Sequence, residues 1–177
     1  MVKNILVTGG SGFIGTNILQ KLSSTNLNIK STYYNKKPKI LSKNIEYIKV
    51  DLTDRASCKR IYQDIDCVLM AAAVSSGAKI MDSNPLLHLN DNILMNTIAL
   101  EESYKQKVKK FIFISSNTVY PLTEKSVIEE DAEFNFYKSY YIVAWMKRFT
   151  EIMCHMYSTK LDQNMNTLII RPGNLYG

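Results

Sequence analysis

The sequence predicts an α/β fold: a doubly wound parallel sheet with helices on both faces, arranged as three α/β/α layers. Three observations carry this. Short apolar runs rich in β-branched residues alternate with longer segments whose apolar residues recur at helical spacing. The first run ends in a cluster of glycines from which a helix starts. At 177 residues and 46% hydrophobic, the chain is large enough to bury one such sheet as a single domain.

Lys3 to Thr8 (KNILVT) suits a buried parallel strand. From Phe13 the period changes, with Ile14, Ile18, Leu19 and Leu22 on one helical face. A second strand covers Ile29 to Tyr34 and a third Tyr47 to Val50, followed by the helix starter Asp51-Leu-Thr-Asp54. Cys67 to Ala72 (CVLMAA) is the fourth strand. A long helix is expected from about Asn84 to Lys105, with Leu86, Leu89, Ile93 and Leu100 on one face. Lys110 to Ser115 (KFIFIS) is the fifth strand, and Thr167 to Ile170 the sixth. Between them a second long helix carries Ile142, Trp145, Phe149, Ile152 and Met156. Alternating strands and helices require crossovers that pass over a sheet face. The polar stretch Thr123 to Asn135 is expected to be a loop beside the carboxyl ends of the strands, where open α/β sheets bind ligands.

The 22 Lys and Arg against 16 Asp and Glu give a net charge of +6, which favours anionic partners. Nucleotide phosphates satisfy that as well as nucleic acid does. Lys105 to Lys110, the densest basic stretch, reads as a solvated helix end without the interleaved aromatics of a strand-binding surface, so no nucleic acid is expected. Cys58, Cys67 and Cys154 lack paired spacing and read as reduced thiols. Met1 leads straight into a strand and no apolar run approaches a membrane span, so a cytoplasmic protein without a membrane partner is expected. His88 and His155 are expected on the surface, and no His, Cys and Asp spacing suggests a metal.

The turn Thr8-Gly-Gly-Ser-Gly-Phe-Ile-Gly15 joins the first strand to the first helix. Gly9 permits a sharp turn, Gly12 lets backbone approach a pyrophosphate, and Gly15 allows close helix packing. In this strand–turn–helix context the spacing predicts a dinucleotide site. A carboxylate after the second strand would favour NAD by accepting from the ribose 2′-hydroxyl, whereas cations favour the 2′-phosphate of NADP. Here the strand runs into Tyr33-Tyr34-Asn35-Lys36-Lys37, without an acid. NADP is therefore expected, with Ser11 and Lys36 or Lys37 near the phosphate, and NAD remains the alternative.

TGGSGFIG, Asp51-Leu-Thr-Asp54, Ala71-Ala-Ala73, Ser115-Ser116 and the closing Arg171-Pro-Gly-Asn-Leu-Tyr-Gly177 together resemble the extended short-chain dehydrogenase/reductases. These Rossmann-fold enzymes include the NAD-dependent epimerases, dehydratases and reductases of nucleotide sugars. The likeness runs from Val2 to Gly177, and the Gly77 region, Pro85, Asn92 and Tyr120-Pro121 look most like the GDP-fucose synthases. The resemblance implies a nucleotide-sugar substrate and a cofactor held by Gly9, Ser11, Gly12, Phe13, Ile14, Gly15, Tyr34, Lys36, Asp51, Leu52, Ala71, Ala72, Ala73 and Lys147. Asp51 would accept from the adenine amino group, and the three alanines would pass close under the cofactor.

Ser116 occupies the family's catalytic Ser/Thr position, and Lys147 with Glu151 matches the second half of its Tyr-x-x-x-Lys pattern. The tyrosine position is Val143, which has no proton to give. Tyr140 shares a helical stripe with Ala144, Lys147 and Glu151, but seven residues separate it from Lys147, roughly 10 Å of helix. Tyr141 lies off that stripe and would reach inward only if the helix begins after it. Ser116, Lys147, Tyr140 and Tyr141 are thus the catalytic candidates. Thr118 stands where fucose synthases carry a cysteine and dehydratases an acid, which disfavours epimerisation and dehydration and leaves ketoreduction.

Family members continue past the position of Gly177 with residues that build most of the sugar pocket, so most of the substrate domain is expected to lie outside these residues. Three readings follow: an NADP-dependent nucleotide-sugar reductase, a cofactor-binding module without turnover, and a structural or regulatory partner that retains only the fold. The resemblance also implies a homodimer through the two long helices.

Overall fold

The computed structural model describes residues 2–75, 85–163 and 165–176. Gly77, Asn84 and Gly177 lie outside them. The elements are β1 (Asn4–Thr8), α1 (Phe13–Leu22), β2 (Asn28–Tyr33), β3 (Ile45–Lys49), the single turn α2 (Arg55–Cys58), β4 (Cys67–Met70), α3 (Pro85–Lys105), β5 (Lys110–Ile114), α4 (Tyr141–Thr159) and β6 (Asn166–Ile170). All six strands are parallel, in the order β3-β2-β1-β4-β5-β6. The order reverses beside β1, and the carboxyl ends of β1 and β4 meet at that switch point, where this architecture opens a crevice.

The register puts Val7, Leu69 and Ile29 on one face, where Leu19 of α1 packs against them. On the other face Leu6, Val68, Met70, Phe111 and Phe113 pack with Met95, Ile98 and Ala99 of α3 and Cys154 of α4. The alternation of strand side chains sorts these two sets. Helices therefore lie on both faces, as expected, but the first face opens toward β6, where Leu168 and Ile170 are exposed. At the opposite rim Asp66 accepts from the Lys3 and Asn4 amides at 2.9 and 3.1 Å and from Lys109 at 3.0 Å. These bonds hold its carboxyl well below the usual carboxylate range. Lys105 pairs with Glu101, so the basic stretch is partly paired within the fold as well as solvated.

Each long helix buries only part of the face its apolar residues predict: Leu100 is buried and Leu89, Ile93, Ile142 and Phe149 are half-buried. On α3, Leu86 and Leu94 are exposed while His88, Asn92, Asn96, Glu102 and Ser103 are buried. His88 is thus 2% exposed, not a surface residue, and its Nδ1 lies 3.3 Å from the Val74 carbonyl. Asn92 explains part of this burial: its side chain accepts from Val74 N–H and donates to Val74 C=O, both at 2.9 Å. It completes the backbone pairing of a segment that has left the sheet, where unpaired buried groups would be costly. Asn96 donates to Thr150 across the contact between α3 and α4. On α4, Trp145, Ile152 and Met156 point outward, and Ala144, Met146, Thr150, Glu151 and Cys154 point in. His155 is exposed near the end of this helix, as expected.

Candidate functional site

The glycine turn is pinned from both sides. Gly10 N–H donates to the Thr32 carbonyl at 2.8 Å and Gly9 N–H to the Thr32 hydroxyl at 3.1 Å, tying the turn to the end of β2. On the other side, Thr8 Oγ1 accepts from the Ala71 and Ala72 amides at 3.1 Å, tying it to the end of β4. Gly9 adopts φ +70°, and a Cβ there would sit 2.7 Å from Ala72 Cα. Glycine is required twice over, by conformation and by contact. Gly15 packs against the backbone of Gly9 and Gly10, so α1 starts directly beneath the turn. Gly10, to which the sequence reading assigned no role, lies against Ser31 and Leu19. The paired glycines were a visible signal for it, but not one the motif spacing uses.

Gly12 begins α1 without any side-chain cap, and the first turn carries no acid. A Cβ on Gly12 would meet only the Gly9 carbonyl oxygen, at 3.2 Å. The outer side of the turn is open, and uncapped N–H groups at a helix start suit an anion. Phe13 is exposed beside it, with Ser11 and Ile14 partly buried. These features fit a dinucleotide pyrophosphate.

At the far end of β2, Tyr34, Lys36 and Lys37 are exposed and no carboxylate follows the strand. Asp51 follows β3 and accepts from the Thr53 hydroxyl at 2.6 Å and the Thr53 amide at 2.9 Å. Those bonds lower its pKa and keep it ionised. Leu52 is buried beside it. Ala71 and Ala72 are partly buried at the β4 end and Ala73 is exposed.

Three consecutive residues at the end of β5 are each held. Lys147 Nζ donates to the Ile114 carbonyl at 2.7 Å and lies 4.8 Å from the centre of the Phe113 ring. Ser115 Oγ donates to Glu151 at 2.6 Å. Ser116 Oγ accepts from the Thr118 amide at 3.2 Å, which leaves its own hydroxyl hydrogen for an outside acceptor. Burial pushes the Lys147 ammonium down to about 8, with Glu151 pulling the other way. Lys147 of α4 is thus anchored to Ile114, the last residue of β5, and Ser116 follows two residues later in the chain.

A family profile described as "NAD dependent epimerase/dehydratase family" matches residues 5–177. The chain belongs to that family. Among relatives of this epimerase/dehydratase family member, a dTDP-4-dehydro-6-deoxy-D-allose reductase of Streptomyces is 24% identical over 190 aligned positions, covering 99% of this chain and 56% of the relative. A UDP-glucose 4-epimerase of Bacillus subtilis is 30% identical over 138 positions, covering 72% of this chain and 40% of the relative. Among solved structures, the UDP-glucose 4-epimerase of Thermus thermophilus in complex with NAD superposes with a TM-score of 0.83 at 26% identity, covering 98% of this chain and 56% of that one. The chain spans about half the length of the curated relatives it matches.

Against the family pattern, Val143 is partly buried on the first turn of α4. Tyr141 is the first residue of that helix, so the helix does not begin after it, and Tyr140 ends the 3₁₀ turn before it. Both are exposed: Tyr140 packs against Tyr137 and Tyr141 against Phe136, each with ring centres 6.1 Å apart. No described helix is long and apolar enough to cross a membrane, and no described group of three or more His, Cys, Asp or Glu is placed to hold a metal.

Proposed function

We propose that the chain is the cofactor-binding part of an NADP-dependent enzyme that reduces a keto group on a nucleotide sugar. The observation that carries this reading is the arrangement at the end of β5, where a buried ammonium bonds the Ile114 carbonyl two residues before a serine whose hydroxyl hydrogen is free, together with a glycine turn open to a dinucleotide. The turn Gly9–Gly15 would hold the pyrophosphate, Asp51 and Leu52 the adenine side, and Ala71–Ala73 the floor. Ser11, Tyr34 and Lys36 would take the 2′-phosphate. When bound, the cofactor supplies the hydride. Ser116 would donate a hydrogen bond to the substrate carbonyl oxygen, and Lys147, whose lowered pKa suits proton traffic near neutrality, would support proton delivery there; Tyr140 and Tyr141, exposed at the start of α4, are not placed for that step.

Calorimetric titration with NADPH and with NADH tests the cofactor. Micromolar binding is expected, at least about tenfold tighter for NADPH, a difference of about 1.4 kcal/mol. A tighter constant for NADH would sink the 2′-phosphate reading. No binding to either, in folded protein, would sink the enzyme.

Val143 favours a second reading, a cofactor-binding module without turnover. Its signature is NADPH binding without nucleotide-sugar-dependent NADPH oxidation. The third reading, a regulatory partner, predicts neither. We also propose that the protein dimerises through α3 and α4, because Leu94, Trp145, Ile152 and Met156 turn outward from them. Sedimentation should show a dimer that Ile152→Glu converts to monomer; a monomeric wild type at tens of micromolar would refute this.

A further inference from the structure

Glu151 is buried, its side chain 1% exposed, yet it faces four donors. Arg171 Nε and Nη2 grip its two oxygens at 2.9 Å each, Arg148 adds a bond at 3.0 Å, and Ser115 one at 2.6 Å. A carboxylate so paired is satisfied, and removing one partner strands a buried charge. Arg171, from the end of β6, also reaches outward. Its Nη1 donates to the Tyr120 hydroxyl at 2.9 Å and to the Glu129 carbonyl at 3.0 Å, and its guanidinium carbon lies 5.1 Å from the centre of the Tyr120 ring. One side chain thus joins β6, α4, the turn after β5 and the polar loop.

Those contacts bracket Ser116. Ser115, its chain neighbour, is held through Glu151, and Tyr120, four residues on, is held directly. The guanidinium directs bonds to Glu151, Tyr120 and Glu129, which disfavours it as a free receptor for a ligand phosphate.

We propose that Arg171 is a positioning residue that fixes Ser116 and the 123–135 loop against the end of β5, so that the serine and the loop move as one unit. The loop is the wall on the substrate side, and this rests on Ser116 facing the substrate carbonyl.

Hydrogen exchange on the full 177-residue chain tests it, comparing wild type with Arg171→Lys and Tyr120→Phe. Lysine keeps the positive charge facing Glu151, but its single ammonium lacks the planar fork that serves Glu151, Tyr120 and Glu129 together. Tyr120→Phe removes one hydroxyl and leaves the core intact. The expected result is exchange across residues 116–131 at least ten times faster in Arg171→Lys and several times faster in Tyr120→Phe. Trypsin should cleave sooner after Lys125. Exchange at Gly9–Gly15 and NADPH affinity should stay unchanged. No acceleration in either variant, or one spread evenly over the chain, would overturn the proposal.

UDP-glucose serves as the substrate-side probe. Weaker UDP-glucose binding in Arg171→Lys with unchanged NADPH affinity is expected, a split that general loosening would not give. Wild-type protein that binds no UDP-glucose, while exchange at 116–131 still responds, would sink the substrate reading and leave the arginine's grip on this segment standing.

Discussion

Gly15→Ala is expected to abolish measurable cofactor binding and to destabilise the fold by about 3 kcal/mol, the upper range for overpacking. The added Cβ would lie 2.8 Å from Gly10 Cα and from the Gly9 carbonyl carbon, and closer still to the Gly9 oxygen. All three are backbone atoms, so no rotamer relieves the contact. The turn cannot retreat either, because Gly9 is already seated on Ala72 and bonded to Thr32. Gly12→Ala is the control: its nearest contact is 3.2 Å, so the fold should persist while the new methyl obstructs the open side of the turn. Urea denaturation and NADPH titration of both variants check this. A Gly15→Ala protein that binds NADPH as the wild type does would remove the turn from the cofactor site.

The second large effect is expected at Lys147, where stability and function should part. Lys147→Met replaces a buried ammonium with an apolar chain of similar length. The folded pKa is lowered to about 8, against about 10.4 in the unfolded chain. Between those values the unfolded state binds more protons, so the wild type gains stability as pH rises through that window. Below it, the charged form is buried at a penalty on the order of 2 kcal/mol, after discounting for the partial exposure of the residue. The variant lacks this penalty, but it leaves the Ile114 carbonyl without its partner, a loss of about 1 kcal/mol. At pH 7 it should therefore be as stable as the wild type or slightly more so. The difference should vanish or reverse by about pH 10. Nucleotide-sugar-dependent NADPH oxidation should fall at least about 100-fold. Parallel pH–stability curves for the two proteins would show that the ammonium is not buried as described, and unchanged turnover would remove it from the chemistry.

The sheet and the glycine turn were legible in the sequence because each rests on local pattern. β-branched runs bounded by glycine or polar residues give strands, and strict alternation with helices gives parallel crossovers. The helices were legible in extent but not in orientation. Periodicity assumes that apolar residues face the core, and on α3 the core side carries His88, Asn92, Asn96 and Glu102 beside the apolar Met95, Ile98, Ala99 and Leu100. Asn92 and Asn96 are buried because they complete hydrogen bonds with Val74 and Thr150, 18 and 54 residues away, which no spacing rule encodes. On α4 the apolar residues Trp145, Ile152 and Met156 are outward-facing for the complementary reason: the inner side is occupied by Lys147, Thr150 and Glu151 and their partners. Ser116 and Lys147 were proposed from a motif. Arg171 lay inside the closing motif too, but its grip on Glu151 and Tyr120 spans 20 and 51 residues and shows only in three dimensions.

The three thiols offer a native clock for breathing of the molecule. Cys58 lies at the end of α2, Cys67 at the start of β4 and Cys154 within α4, and none is more than 5% exposed. Burial pushes the Cys58 thiol up to about 11 and that of Cys154 up to about 12. A thiol-directed reagent must therefore wait for an opening event at each place, since it needs both access and the thiolate. The order in which the unmodified protein is labelled would rank how readily the β3–β4 connection, the sheet centre and the α4 layer come apart. Bound cofactor should delay labelling most where closure of the fold depends on it.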